Sequence, residues 1–413
     1  MSLTPSTEPH PTSVVIVGAG HAGMELAGRL REQGFTGRVD LLDQDSDTPY
    51  ERPPLTKEFL TGPQVPHSPL RRPAWFDEHR ITLHRHGVTA IDPEGRGVKL
   101  DSGRTLSYDV LVLATGAQPR KLPVAGGQEL LTFRTSADAA AIRNRLVPGS
   151  RLTVVGAGFL GLELAAAARS RDVAVSVLTN ESRPLGRLAP DVSAAVGRIM
   201  RELDVELLCE ARLVSVTRRG GTTSVSVEGR PDVTSDLAVA SIGVSPRIKL
   251  AARCGLAVSD GIETDQWLRT SDPSIHALGD CASFPDPEVP GGRIRIESVP
   301  HAQRQARYLA DRITGKTLAP FTMQPWFWSH WGEHRLNIAG FSRADDHLVV
   351  RGDPSGAAFS VFRFRPDGRL GAVESLNRNR EHLMARRLLA TGRTVVPEHA
   401  ADVHLDLADT LRG

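Results

Sequence analysis

Short β-branched runs recur along the chain, and two of them lead into the same glycine pattern. Residues 13–17 are followed by GAGHAG and an Ala/Leu-rich stretch, and residues 152–155 by GAGFLG and a second such stretch. A strand, a glycine turn and a helix in this order are typical of a βαβ unit. Because Gly18 and Gly156 open the two turns 138 residues apart, the pattern predicts one supersecondary unit used twice.

The rest of the hydrophobic pattern predicts three domains. Apolar runs at 108–114, 237–240 and 275–278 predict buried strands, and residues 302–313 predict a helix. From Pro325 onward the runs alternate and end in a helix at 380–390, which indicates an α+β domain. We therefore expect an α/β fold: two Rossmann-like dinucleotide-binding domains with a C-terminal α+β domain. The expected bounds are a disordered tail 1–12, a split first domain 13–120 and 246–322, an inserted second domain 121–245, and a C-terminal domain 323–413.

Composition excludes several classes of protein. The 413 residues carry 50 Lys+Arg against 48 Asp+Glu, and this net charge of +2 argues against an obligate nucleic-acid binder. Three cysteines are too few for a disulfide framework or a CxxC metal site, which fits a reducing compartment. The apolar runs fall short of the ~18 residues of a membrane span, and the polar start lacks the core of a secretory signal. We expect a cytoplasmic protein without a membrane or nucleic-acid partner.

The two glycine turns predict two bound dinucleotides. In a Gly-x-Gly-x-x-Gly turn, backbone N–H groups approach a pyrophosphate that lies at the helix N-terminus. Gly18, Gly20 and Gly23 form one such set, and Gly156, Gly158 and Gly161 the other. Two dinucleotides in one chain indicate a flavin and a nicotinamide, and therefore hydride transfer between them.

The residues after the second strand of each unit differ in charge. Asp43 lies 20 residues after Gly23 and is followed by Gln44 and Asp45, which suits the ribose hydroxyls of the first dinucleotide. The second unit has Thr179 and Asn180 at this point, with Arg183 and Arg187 close by. These arginines are either partners for the 2′-phosphate of NADPH or ordinary surface residues, so both NADH and NADPH stay open as the donor.

Six further motifs occur in a fixed order: PYERPPLTK (49–57), ATGAQPR (114–120), GAGFLGLELAA (156–166), RTSDPSIHALGDC (269–281), RIESVPHA (295–302) and PWFWS (325–329). Together they resemble the FAD-dependent NAD(P)H:ferredoxin reductases that serve oxygenases and cytochromes P450, from about residue 13 to about 385. The resemblance implies a disulfide-reductase-like architecture that binds FAD in the split domain and NADH or NADPH in the inserted one.

The resemblance also assigns residues to each cofactor. For FAD these are Gly18, Gly20, Gly23, Asp43, Gln44, Asp45, Arg52, Lys57, Val88, Ala114, Thr115, Gly116, Arg120, Gly279, Asp280, Ser298, Val299 and Trp328. For the nicotinamide nucleotide these are Gly156, Gly158, Phe159, Leu160, Gly161, Glu163, Thr179, Asn180, Arg187 and Gly243. The family usually has an acid where Gln44 stands, so the ribose contact is expected to move to Asp43 or Asp45. Asp280 would bind the ribityl chain, and Val299 and Trp328 would border the isoalloxazine.

Lys57 and Glu163 match the catalytic pair of the family. The lysine would lie near flavin N5 and pair with the glutamate, and its charge would stabilise the reduced flavin. The resemblance then implies that NAD(P)H delivers a hydride and that single electrons pass to a [2Fe–2S] ferredoxin. Arg304, Arg307 and Arg335 are candidates for a basic face toward this partner, or else scattered surface residues.

The segment after PWFWS departs from the family. The reductases usually read Trp-Ser-Asp-Gln, whereas this chain has His330 and Trp331 at the last two positions. Trp331 is expected to pack in the core, shield the flavin or stack on a ligand. The change leaves open a second function, the reduction of a small organic acceptor, quinone or dioxygen. Redox sensing with slow turnover, which apoptosis-inducing-factor-like relatives suggest, stays open as a third. HWGEH also matches a zinc pattern that requires a helix, but Gly332 interrupts it, so we expect no metal.

Overall fold

The computed structural model describes residues 11–45, 47–62 and 68–407. Of the tail expected at 1–12, residues 1–10 lie outside this range. The described residues cluster into two compact units. The first unit holds the chain up to Glu51, the stretch from residue 68 to Gln118, and Ser245–Met323. The second unit holds the chain from Arg52, Pro119–Val244, and the chain from Gln324 onward.

A five-stranded parallel sheet forms the centre of the first unit. Its strands lie in the order Ile275–Ala277, Val110–Leu113, Ser13–Val17, Arg38–Leu42 and Ile81–His84. The chain order reverses at Ser13–Val17, so the crevice at its carboxyl end is the place where this topology binds ligands. Both faces are covered, because Ser13–Val17 is buried at all five positions, as expected of a parallel strand.

Two long helices and two small sheets complete the first unit. Helices His21–Glu32 and Val299–Ile313 pack against each other and share one apolar core, in which Leu26, Ala306 and Leu309 are fully buried. One small sheet is antiparallel, and its strands are Val88–Asp92, Gly97–Leu100 and Thr105–Ser107. The other contains Val258–Ser259, Gly261–Glu263, Ala282–Pro285 and Arg293–Ile294. The shorter helices are Ala74–Glu78, Lys249–Arg253 and the 3₁₀ turn Gly279–Cys281.

The second unit repeats the parallel sheet. Its strands lie in the order Val205–Leu208, Ala174–Leu178, Arg151–Val155, Leu237–Ala240 and Leu131–Thr132. As in the first unit, the strand that precedes the glycine turn lies at the centre of the sheet, and the next strand along the chain pairs with it on one side. The edge strand Leu131–Thr132 precedes this turn in the chain, whereas the corresponding strand of the first unit, Ile275–Ala277, follows its turn. The helices of this part are Ser136–Arg143, Phe159–Arg169 and Pro190–Glu202, with a 3₁₀ turn at Gly127–Glu129. An antiparallel sheet adds Leu213–Arg219, Thr222–Val227 and Val233–Ser235.

The C-terminal part of the second unit is a five-stranded antiparallel sheet covered by helices. Its strands lie in the order Trp326–Trp331, His334–Gly340, Leu370–Leu376, Phe359–Phe364 and His347–Gly352. Helices Asn379–Thr391 and Pro397–Ala401 follow, and Leu388 packs with Phe362 and Val373 in their common core. Two short helices, Pro53–Thr56 and Glu58–Thr61, also belong to this unit. The remaining short strands are Ala117–Pro119 and Val244–Pro246.

Within residues 11–45, 47–62 and 68–407, we find no helix that combines the length and the apolar character required to cross a membrane.

Candidate functional site

The first glycine turn requires glycine for steric reasons. The N–H of Gly18 donates to the Leu42 carbonyl, and the backbone of Gly18 has φ +109°. A Cβ at Gly18 would lie 2.3 Å from the Ala114 carbonyl oxygen, and one at Gly23 would lie 1.9 Å from the Gly18 oxygen. The turn beside the strand ends Val17 and Leu113 therefore has no room for a side chain at Gly18 or Gly23. Backbone N–H groups are left facing the crevice.

The second glycine turn reproduces these contacts. The N–H of Gly156 donates to the Leu178 carbonyl, and Gly156 has φ +111°. A Cβ at Gly156 would lie 2.2 Å from the Ser241 oxygen, and one at Gly161 would lie 2.1 Å from the Gly156 oxygen. The internal repeat seen in the sequence is thus a repeat of backbone geometry.

The helices that follow both turns begin without a cap. His21–Glu32 starts at Gly20 and Phe159–Arg169 starts at Gly158, and neither has a side-chain cap or an acidic residue in its first turn. The first N–H groups of a helix carry a partial positive charge and need an acceptor. Two uncapped helices behind two glycine turns can each accept a pyrophosphate group. The residues present therefore suit a bound dinucleotide in each fold.

Other predicted residues of the first unit meet at the same edge of the sheet. A Cβ at Gly279 would lie 3.3 Å from Cβ of Ala22 and 3.7 Å from Cβ of Ala302, so Gly279–Cys281 lies at the beginning of both long helices. Asp280 is half-buried there. Ser298, which precedes helix Val299–Ile313, is buried and does not cap it with its side chain. The predicted positions Gly279, Asp280, Ser298 and Val299 are therefore assembled near the first glycine turn.

A buried amide next to this segment was missed by the sequence analysis. Gln305 Oε1 accepts the N–H of Gly279 at 2.7 Å, and Gln305 is fully buried. Its Nε2 makes no hydrogen bond within the part of the chain that the structure describes. An unsatisfied donor beside Asp280 suits a ligand rich in acceptor oxygens, as FAD is.

The acids after the second strand of the first unit are held by their own loop. Asp45 N donates to Asp43 Oδ1 at 3.2 Å, and the Tyr50 hydroxyl donates to Asp45 Oδ2 at 3.2 Å. Gln44 is exposed, and its Cβ lies 3.7 Å from the position that a Cβ would take at Gly87. Gln44 therefore stands next to the strand that begins at Val88, the predicted adenine neighbour.

Ala114, Thr115 and Gly116 continue from the strand Val110–Leu113 into the crevice. The Thr115 hydroxyl donates to the Arg247 carbonyl at 2.8 Å, and Arg247 N donates to the Gly116 carbonyl at 2.9 Å. Two hydrogen bonds to the Arg247 backbone thus fix this segment.

In the second unit, Arg120 and Gly243 are neighbours. Arg120 N donates to the Gly243 carbonyl at 3.0 Å, and Arg120 Nε donates to the Val244 carbonyl at 2.9 Å. Gly243 is exposed with φ +88°, and a Cβ there would meet nothing within 4 Å. The loop predicted for the nicotinamide is therefore open.

The loop after the second strand of the second unit carries the residues predicted for the ribose. Thr179 is buried, and its hydroxyl accepts the N–H of Glu181 at 3.2 Å, whereas Asn180 is exposed. Arg183 Nη2 donates to the carbonyls of Gly186 and Leu188 within the same loop. Arg187, in contrast, is exposed. Of the two arginines considered for a 2′-phosphate, Arg187 is the one that faces solvent.

Lys57 and Glu163 form an ion pair in the second unit. Lys57 Nζ lies 3.1 Å from Glu163 Oε2, with side-chain exposures of 20% and 9%. Thr56 Oγ1 donates to the same oxygen at 2.5 Å. Ser329 Oγ donates to Oε1 at 2.7 Å, and His330 N donates to Oε1 at 3.3 Å. Four donors from two segments thus converge on one carboxylate, which fixes it beside the Lys57 side chain.

The segment that carries Lys57 is anchored by two arginines. Arg143 Nη2 donates to the Gly62 carbonyl at 2.7 Å, and its Nη1 donates to Leu60 O. Arg171 Nη1 donates to Leu60 O at 2.8 Å. Both guanidinium groups bind the last carbonyls of helix Glu58–Thr61, where positive charge is favourable. Arg52 lies at the other end of this segment, where it precedes Pro53–Thr56.

Aromatic side chains line the strand next to the ion pair. The Trp326 and Trp328 rings stack at 5.3 Å between centroids, and the Phe327 ring lies 4.7 Å from that of Phe159 at the start of helix Phe159–Arg169. Trp331 is fully buried, so it packs in the core, the first of the three roles considered for it. His330 is half-buried, and burial lowers its imidazole pKa, with Lys57 and Arg335 acting in the same direction.

The zinc pattern lies on a hairpin. His330 belongs to strand Trp326–Trp331 and His334 to His334–Gly340, with Gly332 at φ +57° in the turn between them. No group of potential ligands suited to a metal ion occurs in the described residues. The three cysteines are free thiols, and burial raises the pKa of each. Thiols of this kind are poor nucleophiles, which argues against disulfide chemistry.

Comparison with known proteins identifies the family. A family model described as pyridine nucleotide-disulphide oxidoreductase matches residues 12–306, and one described as reductase C-terminal matches residues 326–411. The chain belongs to the pyridine nucleotide-disulphide oxidoreductases. It is therefore a flavoprotein oxidoreductase that uses FAD and a nicotinamide nucleotide, as the two glycine turns indicate.

Within this family the chain belongs with the ferredoxin reductases. It is 40% identical to rhodocoxin reductase of Rhodococcus erythropolis, over 96% of this chain and 93% of the relative. It is 37% identical to the ferredoxin--NAD(+) reductase component of the anthranilate 1,2-dioxygenase system of Burkholderia cepacia, over 94% of this chain and 96% of the relative. A crystal structure of the covalent putidaredoxin reductase–putidaredoxin complex matches with TM-score 0.92 at 36% identity, over 97% of this chain and 98% of that chain. The expected family and fold class are confirmed.

Thr56, Ser329 and Gln305 are site residues that the sequence analysis missed. Thr56 and Ser329 lie inside two of the quoted motifs, but no spacing relates either of them to Glu163. A sequence signal does exist for Glu163 itself, because the 138-residue repeat aligns it with Glu25. Glu25 also pairs with a cation, since Arg307 Nε lies 2.5 Å from its Oε1.

Proposed function

We propose that this oxidoreductase takes a hydride from NADH or NADPH and passes single electrons to a [2Fe–2S] ferredoxin that serves an oxygenase or a cytochrome P450. The names of the relatives support the acceptor, since they are a rhodocoxin reductase, a ferredoxin--NAD(+) reductase and a reductase complexed with putidaredoxin. The observation that carries the proposal is the Lys57–Glu163 ion pair, because it fixes a cation at the position where the family motif places a lysine near the flavin.

The proposal assigns one dinucleotide to each fold. FAD binds the split domain 13–120 and 246–322, and the nucleotide binds the domain 121–245, with 323–413 as the C-terminal domain. Backbone N–H groups of Gly18–Gly20 and Gly156–Gly158 receive the two pyrophosphates, and Asp43 and Asp45 the FAD ribose. Bound FAD supplies the redox chemistry, since it accepts a hydride and gives up electrons singly.

The residues of the chain orient the reactants and stabilise charge. Glu163 fixes the position of Lys57, and the positive charge of Lys57 stabilises negative charge that develops near it. Thr56, Ser329 and the backbone N–H of His330 also donate to Glu163, which holds the carboxylate in place beside Lys57. We assign the Trp328 side chain to the isoalloxazine of FAD and the exposed loop at Gly243 to the nicotinamide.

The donor proposal includes NADPH. Thr179 stands where a carboxylate would repel a 2′-phosphate, and the exposed Arg187 is available to pair with one. We therefore extend the donor to both nucleotides. We place the reaction in the cytoplasm, where free thiols such as Cys209, Cys254 and Cys281 persist.

The acceptor is tested by anaerobic double mixing. The FAD-loaded protein is reduced with NADH or NADPH and then mixed with a [2Fe–2S] ferredoxin or with a quinone. Ferredoxin reduction that keeps pace with turnover, and exceeds quinone reduction, supports the proposal. Fast reduction by NAD(P)H with turnover only on quinone or dioxygen would overturn it in favour of a small-acceptor enzyme. A long-lived reduced complex that gives electrons to neither acceptor would indicate a redox sensor.

A further inference from the structure

A buried ion pair of the C-terminal sheet reaches a helix of the nucleotide domain. Glu374 is fully buried on strand Leu370–Leu376, and Arg363 lies on the neighbouring strand Phe359–Phe364. Arg363 Nε donates to Glu374 Oε1 at 2.6 Å. The other oxygen, Oε2, accepts the N–H of Ala189 at 2.8 Å. The pair therefore serves two segments that are almost 200 residues apart in the chain.

Ala189 is the residue that precedes helix Pro190–Glu202. It is fully buried, and its methyl group cannot cap a helix. In a capping box, a glutamate of the helix itself accepts the N–H of the capping residue. Glu374 does the same from a different domain. A second contact holds this helix to the same domain, because Arg198 donates to the carbonyl of Pro354.

The loop before Ala189 is the one that flanks the second glycine turn. Leu185 N donates to the Ala157 carbonyl at 3.0 Å, and Leu185 has φ +50°, a conformation that a branched residue adopts only when its surroundings impose it. Arg183 is bound to the loop's own carbonyls, and Ser193 Oγ donates to Pro184 O. Arg187, between these fixed points, is exposed. The far end of the loop is fixed at Ala189 by Glu374.

Stability alone does not explain the Arg363–Glu374 pair. Removing two charges from water is costly, and apolar residues of similar size are often at least as stable in such a position. The specific feature of the pair is the hydrogen bond that it makes to Ala189. We propose that Glu374, oriented by Arg363, is a positioning residue that holds the 179–189 loop against the second glycine turn in the geometry that binds the adenosine end of NAD(P)H. This inference rests on the proposed function, which assigns the nucleotide to that turn.

Two variants remove the hydrogen bond in different ways. Glu374→Gln has one acceptor oxygen, so it cannot serve both Arg363 and Ala189. The double variant Arg363→Met/Glu374→Met replaces the pair with apolar side chains of similar length, which keeps the sheet packed but leaves Ala189 N–H without its acceptor. The matched control is Glu381→Gln, which also breaks a buried pair of this domain, with Arg351 Nε at 3.2 Å. Within the described residues, the hydrogen bonds and ion pairs of Glu381 are to Arg351, Ser360 and Arg378, and none of them involves the 179–189 loop.

The measurement is anaerobic stopped-flow reduction of the FAD-loaded chain over a range of NADPH and NADH concentrations. We expect both Glu374 variants to weaken nucleotide binding roughly tenfold while the limiting rate of flavin reduction stays within about twofold, because one charged hydrogen bond acts on the loop and not on the hydride. Hydrogen exchange of the amides in 183–189 should accelerate in both variants. The control should change neither quantity.

Three results would contradict the inference: an unchanged Kd in both Glu374 variants, an equal rise in Glu381→Gln, or a double variant that recovers wild-type affinity together with wild-type stability. If Glu374→Gln fails to fold, the double variant decides the question. If the wild-type protein is not reduced by either nucleotide, the proposed function fails, and calorimetric binding of NADP⁺ to the same variants still tests the positioning role.

Discussion

The two dinucleotide folds use the same glutamate for different purposes. Glu25 and Glu163 occupy equivalent places in the helices that follow the two glycine turns. In the first fold, Glu25 pairs with Arg307, whose side chain is 51% exposed. In the second fold, Glu163 is more buried and accepts hydrogen bonds from Thr56, Lys57 and Ser329. The repeat supplied an acid at both positions, and the segments packed around the second acid made it part of a candidate active site.

The folds differ again after their second strands. The first presents the carboxylates of Asp43 and Asp45, whereas the second presents Thr179 and Asn180. Backbone geometry at the turns is common to both folds, so it suits the part that every dinucleotide shares, the pyrophosphate. Side chains at the strand ends contact the parts by which one dinucleotide differs from another.

The largest effect is expected from breaking each turn separately. Gly18→Ala should yield protein that no longer retains FAD, because its Cβ would meet the Ala114 oxygen at 2.3 Å. Gly156→Ala should retain FAD and lose nucleotide binding, because its Cβ would meet the Ser241 oxygen at 2.2 Å. Flavin absorbance of the purified protein and calorimetric binding of NADP⁺ measure the two outcomes.

The control for this pair is Gly149→Ala. Gly149 also has a positive φ, +80°, but nothing lies within 4 Å of its Cβ position, so it reports the backbone strain alone, about 1–2 kcal/mol. If Gly18→Ala and Gly156→Ala lose the same dinucleotide, the assignment of one cofactor to each turn is wrong.

A smaller difference between the two folds is expected in how their stability changes at acidic pH. Burial lowers the pKa of His301 and of His276 in the first unit to about 4, whereas residues 121–245 contain no histidine. Each imidazole is neutral when folded and takes up a proton when unfolded, near pH 6.5. Each therefore stabilises the fold fully above pH 6.5, and this contribution falls by about 2 kcal/mol between pH 7 and 5.

His301→Phe tests this pH dependence. His301 stacks on Phe284, and its ring nitrogens have no hydrogen-bond partner within the described chain, so phenylalanine can keep the contact. Urea unfolding at pH 7 and pH 5 should show that the variant loses about 2 kcal/mol less than the wild-type protein over this interval. An identical loss in both proteins would mean that His301 is protonated in the folded state.

The smallest effect concerns the choice of nucleotide. Thr179→Glu should lower the ratio of kcat/KM for NADPH to that for NADH about tenfold, because a carboxylate repels a 2′-phosphate and accepts ribose hydroxyls. Thr179→Val is the control, since it removes the hydroxyl without adding charge. A ratio that shifts equally in both variants would show that packing, not charge, sets the preference.

The sequence predicted those parts of the molecule that depend on neighbours in the chain. Strand Leu237–Ala240 and both glycine turns lie where the hydrophobic pattern placed them. Helix Val299–Ile313 begins three residues before its predicted start, and Pro300 suits its first turn. Gly332, which was expected to interrupt a helix over HWGEH, lies in the turn of a hairpin.

Contacts between distant segments were not predictable in this way. Ser329 reaches Glu163 across 166 residues, and Glu374 reaches Ala189 across 185. Neither contact can be inferred from residue spacing or composition, because both depend on which strand of the folded chain packs against which helix. The resemblance to a family named Lys57 and Glu163, but the hydroxyl groups that complete the site became visible only in the folded chain.

The most direct test of this account compares Glu163→Gln with Glu25→Gln in anaerobic reduction of the FAD-loaded protein by NAD(P)H. We predict a loss of at least about 100-fold in the flavin reduction rate for Glu163→Gln, comparable to the loss of a single charge-stabilising group in other active sites. Glu25→Gln should reduce at the wild-type rate. Equal rates for both variants and the wild-type protein would contradict the assignment of the Lys57–Glu163 pair to the hydride-transfer step.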